Sequence, residues 1–150
     1  MTLGLGEPPQ ALWWQPVLAN RVYDHLRSAL PGEGVGLLAT VAAGKGRRVV
    51  GFYPGINTDS GITRFTMDPV GVLAAFDHME RRGWSFGATV HSHPTSSATP
   101  SVTDLREAFY PDALLVIVSL SGPTPEARAW WIAAESPLEV PIRWVTGQDV

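Results

Sequence analysis

The stretch Trp84-Ser85-Phe86-Gly87-Ala88-Thr89-Val90-His91-Ser92-His93 alternates apolar with small or polar residues. Period two is the signature of a half-buried strand. Side chains alternate between the two faces of a strand, so the pattern predicts that Trp84, Phe86, Ala88 and Val90 share one face. His91 and His93 then point together from the other. On the N-terminal side, Asp68-Pro69 is a helix start, an N-cap followed by proline in the first turn. Val72, Leu73, Phe76 and Met79 mark that helix's apolar face, and Gly83 stops it. Further back, Ile62 to Met67 is a candidate strand. Val35 to Val41 and Arg47 to Tyr53 read as strands around a Gly44-Lys45-Gly46 turn. No phosphate loop is present there, because the Gly-Lys-Ser/Thr pattern is missing. Leu12-Trp13-Trp14 reads as a short strand. Pro16 opens a helix with Val17, Leu18, Val22, Leu26 and Leu30 at helical spacing, closed by Pro31-Gly32.

Beyond His93, a polar loop runs from Pro94 to Pro100, and Ser101 to Phe109 reads as a short helix. Ala113 to Leu120 and Ala127 to Ala133 are buried strands, and Val140 to Val145 is the last. One of Trp130 and Trp131 must face away from the core if their strand is regular. This order predicts a mixed α/β (α+β) domain over residues 1–150, with residues 1–10 loose. It is built on a largely antiparallel sheet with two main helices packed against it and a short helix after the loop.

The chain has 150 residues, 45% apolar and 17% charged, enough for one real core. Its net charge is −3 and its basic residues are scattered, which argues against nucleic acid as a partner. No apolar run is long enough to span a bilayer, and the first residues lack a basic start and apolar signal core. The expectation is a cytoplasmic protein with no membrane partner. Cysteine is absent, so thiolate nucleophiles, disulfides and cysteine metal sites are all excluded.

The chemistry lies in His91 to Asp104. Two imidazoles converge from one strand face, and Asp104 can add an oxygen from the next element. Two nitrogens and one carboxylate, with a fourth position open to water, is the pattern of a catalytic zinc site. Imidazole disfavours magnesium, while iron and manganese use similar ligands. Each half also has a plain structural reading. His-x-His alone is common, and Ser101-Val102-Thr103-Asp104 is a helix capping box. Their joint occurrence at this spacing favours the metal.

The segment resembles the metalloprotease motif of the JAMM family, the MPN+ domain: His-x-His, seven residues, Ser, two residues, Asp. That is His91, His93, Ser101 and Asp104 here, with Pro94 and Pro100 also matching. The family's upstream Pro-x-Glu-x-x-Gly-Leu corresponds to Pro31-Gly32-Glu33-Gly34-Val35-Gly36-Leu37. The resemblance implies a curved sheet of the MPN type and one Zn2+ ion on His91, His93 and Asp104. It implies that Glu33 takes the proton of the attacking water and returns one to the leaving amine, and that Ser101 donates to the oxyanion. It further implies hydrolysis of a peptide or isopeptide bond after the C-terminal Gly-Gly tail of a ubiquitin-like or sulfur-carrier protein. At 150 residues the chain is expected to lack the insertions with which eukaryotic members grip a second ubiquitin. Two other readings compete. A non-catalytic MPN scaffold would lack these ligands. A RadC-like DNA-repair-associated domain usually has Asn where Ser92 stands and Ser-Gly where Thr95-Ser96 stand. His25 and His78 lie on the helices and read as structural or solvent-facing. Arg47-Arg48 and Arg81-Arg82 read as solvated surface, and Trp130-Trp131 as strand packing.

Overall fold

The computed structural model describes residues 6–57, 67–108, 110–134 and 136–146. Its elements follow the order β1 (Leu12–Trp14), α1 (Pro16–Ser28), β2 (Val35–Ala43), β3 (Gly46–Gly55), α2 (Pro69–Arg82), β4 (Ser85–His93), α3 (Val102–Arg106), β5 (Leu114–Ser119), β6 (Glu126–Trp131), β7 (Leu138–Val140) and β8 (Ile142–Trp144). All eight strands form one mixed sheet in the order β7-β6-β5-β4-β2-β3-β1-β8. The β2–β3, β2–β4, β5–β6 and β6–β7 pairs are antiparallel; β4–β5, β1–β3 and β1–β8 are parallel. The expected strand Ile62 to Met67 falls outside the described residues except for Met67, which bridges to Asn57.

The final strand expected over Val140 to Val145 is in fact two. β7 and β8 occupy opposite edges of the sheet, yet only Pro141 separates them. The sheet therefore curls until its two edges meet. Proline has no N–H to give to a ladder, so the chain can change partners there. Its carbonyl still serves, accepting from the Leu12 N–H at 2.9 Å.

The curl encloses α1. Ala19, Val22 and Leu26 pack against Leu12, Trp14, Leu38, Val49, Ala88, Val90, Val116, Val118 and Trp131. A fully buried leucine such as Leu26 contributes about 1.5–3 kcal/mol by leaving water. Val17 and Leu30 do not join this face; they are 61% and 45% exposed. The buried stripe runs through Ala19, Val22 and Leu26. α2 covers the other face of the sheet, where Ala75 and Met79 meet Leu37 and Ala39 with Val72, Phe76, Trp84 and Phe86 around them. It is capped at Asp68, whose carboxylate accepts from the Gly71 N–H, and stopped by Gly83 at φ 70°. Leu73, expected on its buried face, is 69% exposed. The hairpin turn is as expected, with Gly44 at φ 59° between paired Ala43 and Gly46. Of the two tryptophans in β6, Trp131 enters the α1 core and Trp130 packs outside on Ala98, Leu115 and Ile117.

Strand β4 departs from strict alternation. Leu38 pairs with Ala88 but Ala39 pairs with Phe86, which leaves Gly87 as an extra residue. Such a bulge reverses the facing of everything before it. Trp84 and Phe86 accordingly lie on the α2 side, while Ala88 and Val90 lie on the α1 side. The expected single apolar face is therefore divided, and His91 sits on the same side as Phe86. Glycine is required at the bulge, because a Cβ there would lie 2.0 Å from Thr40 Oγ1. Arg47, expected in solvent, is half-buried: its Nη1 donates to the Gly87 carbonyl at 2.9 Å and its head lies over Trp131.

Candidate metal centre

The last three residues of β4 and the first turn of α3 build the site. His91 is wholly buried, and His93 and Asp104 are nearly so. The period-two geometry of β4 after its bulge aims both imidazoles out of the sheet under α2. His91 Nε2 lies 3.1 Å from Asp104 Oδ1, and His93 Nε2 lies 3.0 Å from Asp104 Oδ2. The two Nε2 atoms are 3.3 Å apart. Donor atoms of His91, His93 and Asp104 all fall within 4.8 Å of one another, a group able to hold a metal ion.

The hydrogen bonds decide what this group can bind. A carbonyl only accepts, so His93 Nδ1 donates to Ser97 O at 2.7 Å. In a neutral imidazole the proton is then on Nδ1 and Nε2 carries a lone pair. That lone pair faces a carboxylate oxygen at 3.0 Å and a second imidazole nitrogen at 3.3 Å. Such electron-rich atoms stay this close only around a shared cation or proton. Binding the second imidazole nitrogen to a carbonyl is also how metal-ligating histidines are held. The donor set therefore fits a borderline-soft divalent cation.

Burial pushes the Asp104 carboxyl up, but hydrogen bonds with His91 and His93, the charge of His91 and the Ser101 N–H outweigh it and hold Asp104 well below the carboxylate range. Burial dominates at His91 and pushes it down. At His93 burial acts downward too, but the Asp104 bond, Ser97 O and the charges of Asp104 and Glu33 outweigh it and raise it.

Asp104 is oriented by a complete capping box. Its N–H donates to Ser101 Oγ at 3.0 Å and its Oδ2 accepts from the Ser101 N–H at 2.9 Å. Helix α3 runs only from Val102 to Arg106, shorter than the expected Ser101 to Phe109. Backbone carbonyls of the loop before it are held by His93 on Ser97 O, by Ser119 Oγ donating to Ser96 O at 2.6 Å, and by Trp130 Nε1 donating to Ala98 O at 2.9 Å.

Glu33 lies outside the ligand group but beside it. It is 4% exposed, and its charge reaches His93. Pairing of Val35 with His91 brings it there. Its carbonyl accepts from Asn57 Nδ2 at 3.0 Å, and Ser92 Oγ accepts from the Gly34 N–H at 2.8 Å. His25 spans Val35 O at 3.0 Å and Gly55 O at 3.1 Å with Nε2, the structural role expected of it. His78 is exposed and bonds Tyr53. Sequence reasoning missed Ser92, Asn57, Ser119 and the indole of Trp130. Only Ser92 carried a signal, a hydroxyl held between two candidate ligands. A cavity of about 630 Å³ borders His91 and Asp104, walled mainly by apolar side chains such as Leu37, Val72, Phe76, Leu115 and Ile132.

A family model described as prokaryotic homologs of the JAB domain matches residues 16–133. A Thermus thermophilus protein named a probable TtuB-protein conjugate cleaving protease is 40% identical over 94 residues, 61% of this chain and 59% of that protein. A Mycobacterium tuberculosis protein named CysO-cysteine peptidase is 30% identical over 129 residues, 85% of this chain and 87% of that one. The solution structure of a Desulfitobacterium hafniense protein superposes with a TM-score of 0.84 at 32% identity, covering 92% of this chain and 95% of that one. A Salinibacter ruber protein gives 0.69 at 29%, covering 90% and 92%. Among the described residues no helix is long and apolar enough to cross a membrane.

Proposed function

The chain belongs to the family of prokaryotic JAB-domain homologs, and on that premise we propose that it is a zinc-dependent hydrolase of peptide or isopeptide bonds. Its substrate is a ubiquitin-like or sulfur-carrier protein, cut after a C-terminal Gly-Gly tail. The observation that carries this reading is the buried convergence of His91, His93 and Asp104 with Glu33 beside them. A scaffold has no use for such a costly cluster. The activities named for the two relatives support the substrate class.

His91, His93 and Asp104 would hold the zinc, which supplies Lewis acidity and brings the pKa of water near 7. Glu33 accepts the proton of the attacking water and carries one to the departing amine. Ser101 donates its hydroxyl hydrogen to the oxyanion, while its oxygen keeps capping Asp104. Glycines in the tail let its backbone approach the buried atoms closely.

The test uses a sulfur-carrier protein ending in Gly-Gly, once with cysteine attached to its terminus and once joined to a lysine side chain. Mass spectrometry should show release of the free Gly-Gly end from at least one, and its loss on chelation. Folded, zinc-loaded protein that cuts neither would sink the reading.

Ser101→Ala separates two roles. Losing the cap should cost about 1 kcal/mol of stability. Losing an oxyanion donor should cost about 10²–10³ in turnover. Thermal melts and single-turnover rates measured together check both. A small drop in melting temperature with unchanged turnover would leave only the cap.

A further inference from the structure

Ser92 stands between the two histidines, and its side chain points away from them, into the apolar interior shared with Val90. It is wholly buried. A buried hydroxyl without a partner would cost about 1–3 kcal/mol. Here Oγ accepts from the Gly34 N–H at 2.8 Å, across 58 residues of chain. The Ser92 N–H in return donates to Gly34 O at 3.0 Å. One residue therefore grips both polar groups of Gly34, and one of the two bonds comes from a side chain rather than from the ladder.

Gly34 is pressed from the other side as well. A Cβ there would lie 2.8 Å from the Leu26 Cα and 3.1 Å from its carbonyl. Glu33, immediately before it, is held at its own carbonyl by Asn57. Through Gly34 and Ser92 the backbone of Glu33 is thus tied to the strand segment that carries His91 and His93. We infer that Ser92 is a positioning residue for Glu33: its hydroxyl sets where the carboxylate stands relative to the two imidazoles. This rests on the reading of Glu33 as the general base. It differs from mere core packing, because valine or alanine would fill an apolar interior without a polar partner.

The isosteric pair Ser92→Thr and Ser92→Val isolates the hydroxyl, and Ser92→Ala serves if the added methyl groups prevent folding. Each is assayed as the zinc-loaded full chain for metal content, melting temperature, kcat and KM. The valine and alanine variants should keep their metal and KM and lose about 10–10² in kcat, the scale of a misplaced catalytic group. Threonine should restore most of that loss. In a Glu33→Gln background the valine or alanine change should cost nothing further, because a residue acting through the carboxylate is not additive with it. The inference is overturned if valine and alanine turn over as threonine does, or if their loss adds in full to that of Glu33→Gln. Loss of metal by the alanine variant would also overturn it, by assigning Ser92 to the ligands. Wild-type turnover in Glu33→Gln itself would fail the general-base reading first, and this inference with it. An inactive Glu33→Gln beside a fully active Ser92→Ala would fail only this one.

Discussion

Glu33→Gln should keep its metal and its melting temperature and lose about 10²–10⁴ in turnover, the usual contribution of a general base. The amide preserves the size and planarity of the carboxylate in a site that is only 4% exposed, so packing has little reason to change. Its carbonyl bond to Asn57 and the Gly34 bond to Ser92 are made by the backbone and survive. What is lost is the basic oxygen. Glu33 stands outside the group of converging donor atoms, so its replacement should not release the ion. Binding of a Gly-Gly-tailed partner should persist, which would make the variant a trap for the natural substrate. Metal analysis, thermal melt and cleavage of a candidate conjugate, run side by side, are the measurement. Cleavage at the wild-type rate would refute the mechanism. Loss of the metal would make Glu33 a ligand.

Asp104→Ala should abolish metal binding and activity together. The carboxylate touches both imidazoles, at 3.1 and 3.0 Å, and supplies the negative charge of the cluster. Without it two imidazoles remain, too few ligands for a buried zinc site. The alanine also removes one arm of the capping box, so stability should fall by about 1 kcal/mol beyond the loss of bound metal. Asp104→Asn separates the two effects: it keeps an oxygen for the Ser101 N–H but not the charge. It should retain the cap and lose the ion. Elemental analysis of protein purified without chelators or metal-binding tags should give one zinc per wild-type chain and none for either variant. Zinc added to stripped wild type should raise the melting temperature, since a ligand that binds only the folded state stabilises it. Stripped wild type that cannot be reloaded would remove the metal from the account.

The two substituted residues differ in how they show in the amino-acid sequence. Asp104 lies within fourteen consecutive positions of His91 and His93, and their relation follows from strand alternation and one helix cap. Nothing local connects Glu33 to His91; the motif points to it only through its likeness to a known family. The supporting residues are harder still to see. Asn57 and Ser119 look like ordinary loop and strand-end residues, because a hydrogen bond to a distant carbonyl leaves no mark on local pattern. Trp130 reads as packing, which is half of its work; its Nε1–H also holds the loop at Ala98.

By itself the sequence determined what depends on neighbours along the chain. It set the helix caps at Asp68 and Gly83, the turn at Gly44, the capping box at Ser101 and Asp104, and the common aim of His91 and His93. These rest on backbone dihedrals and hydrogen bonds spanning a few residues, which side-chain type controls directly. Tertiary structure alone decided three things. The ladder bulges at Gly87, where Thr40 on the neighbouring strand leaves no room for a side chain, and this turns Phe86 and Trp84 to the α2 face. Pro141 divides the last strand because the curled sheet brings its two edges together there. Glu33 reaches the site because the β2–β4 ladder, beyond its bulge, sets Val35 opposite His91. Register is chosen by the summed burial of whole strands against α1 and α2, a property of the packed molecule that no short segment carries.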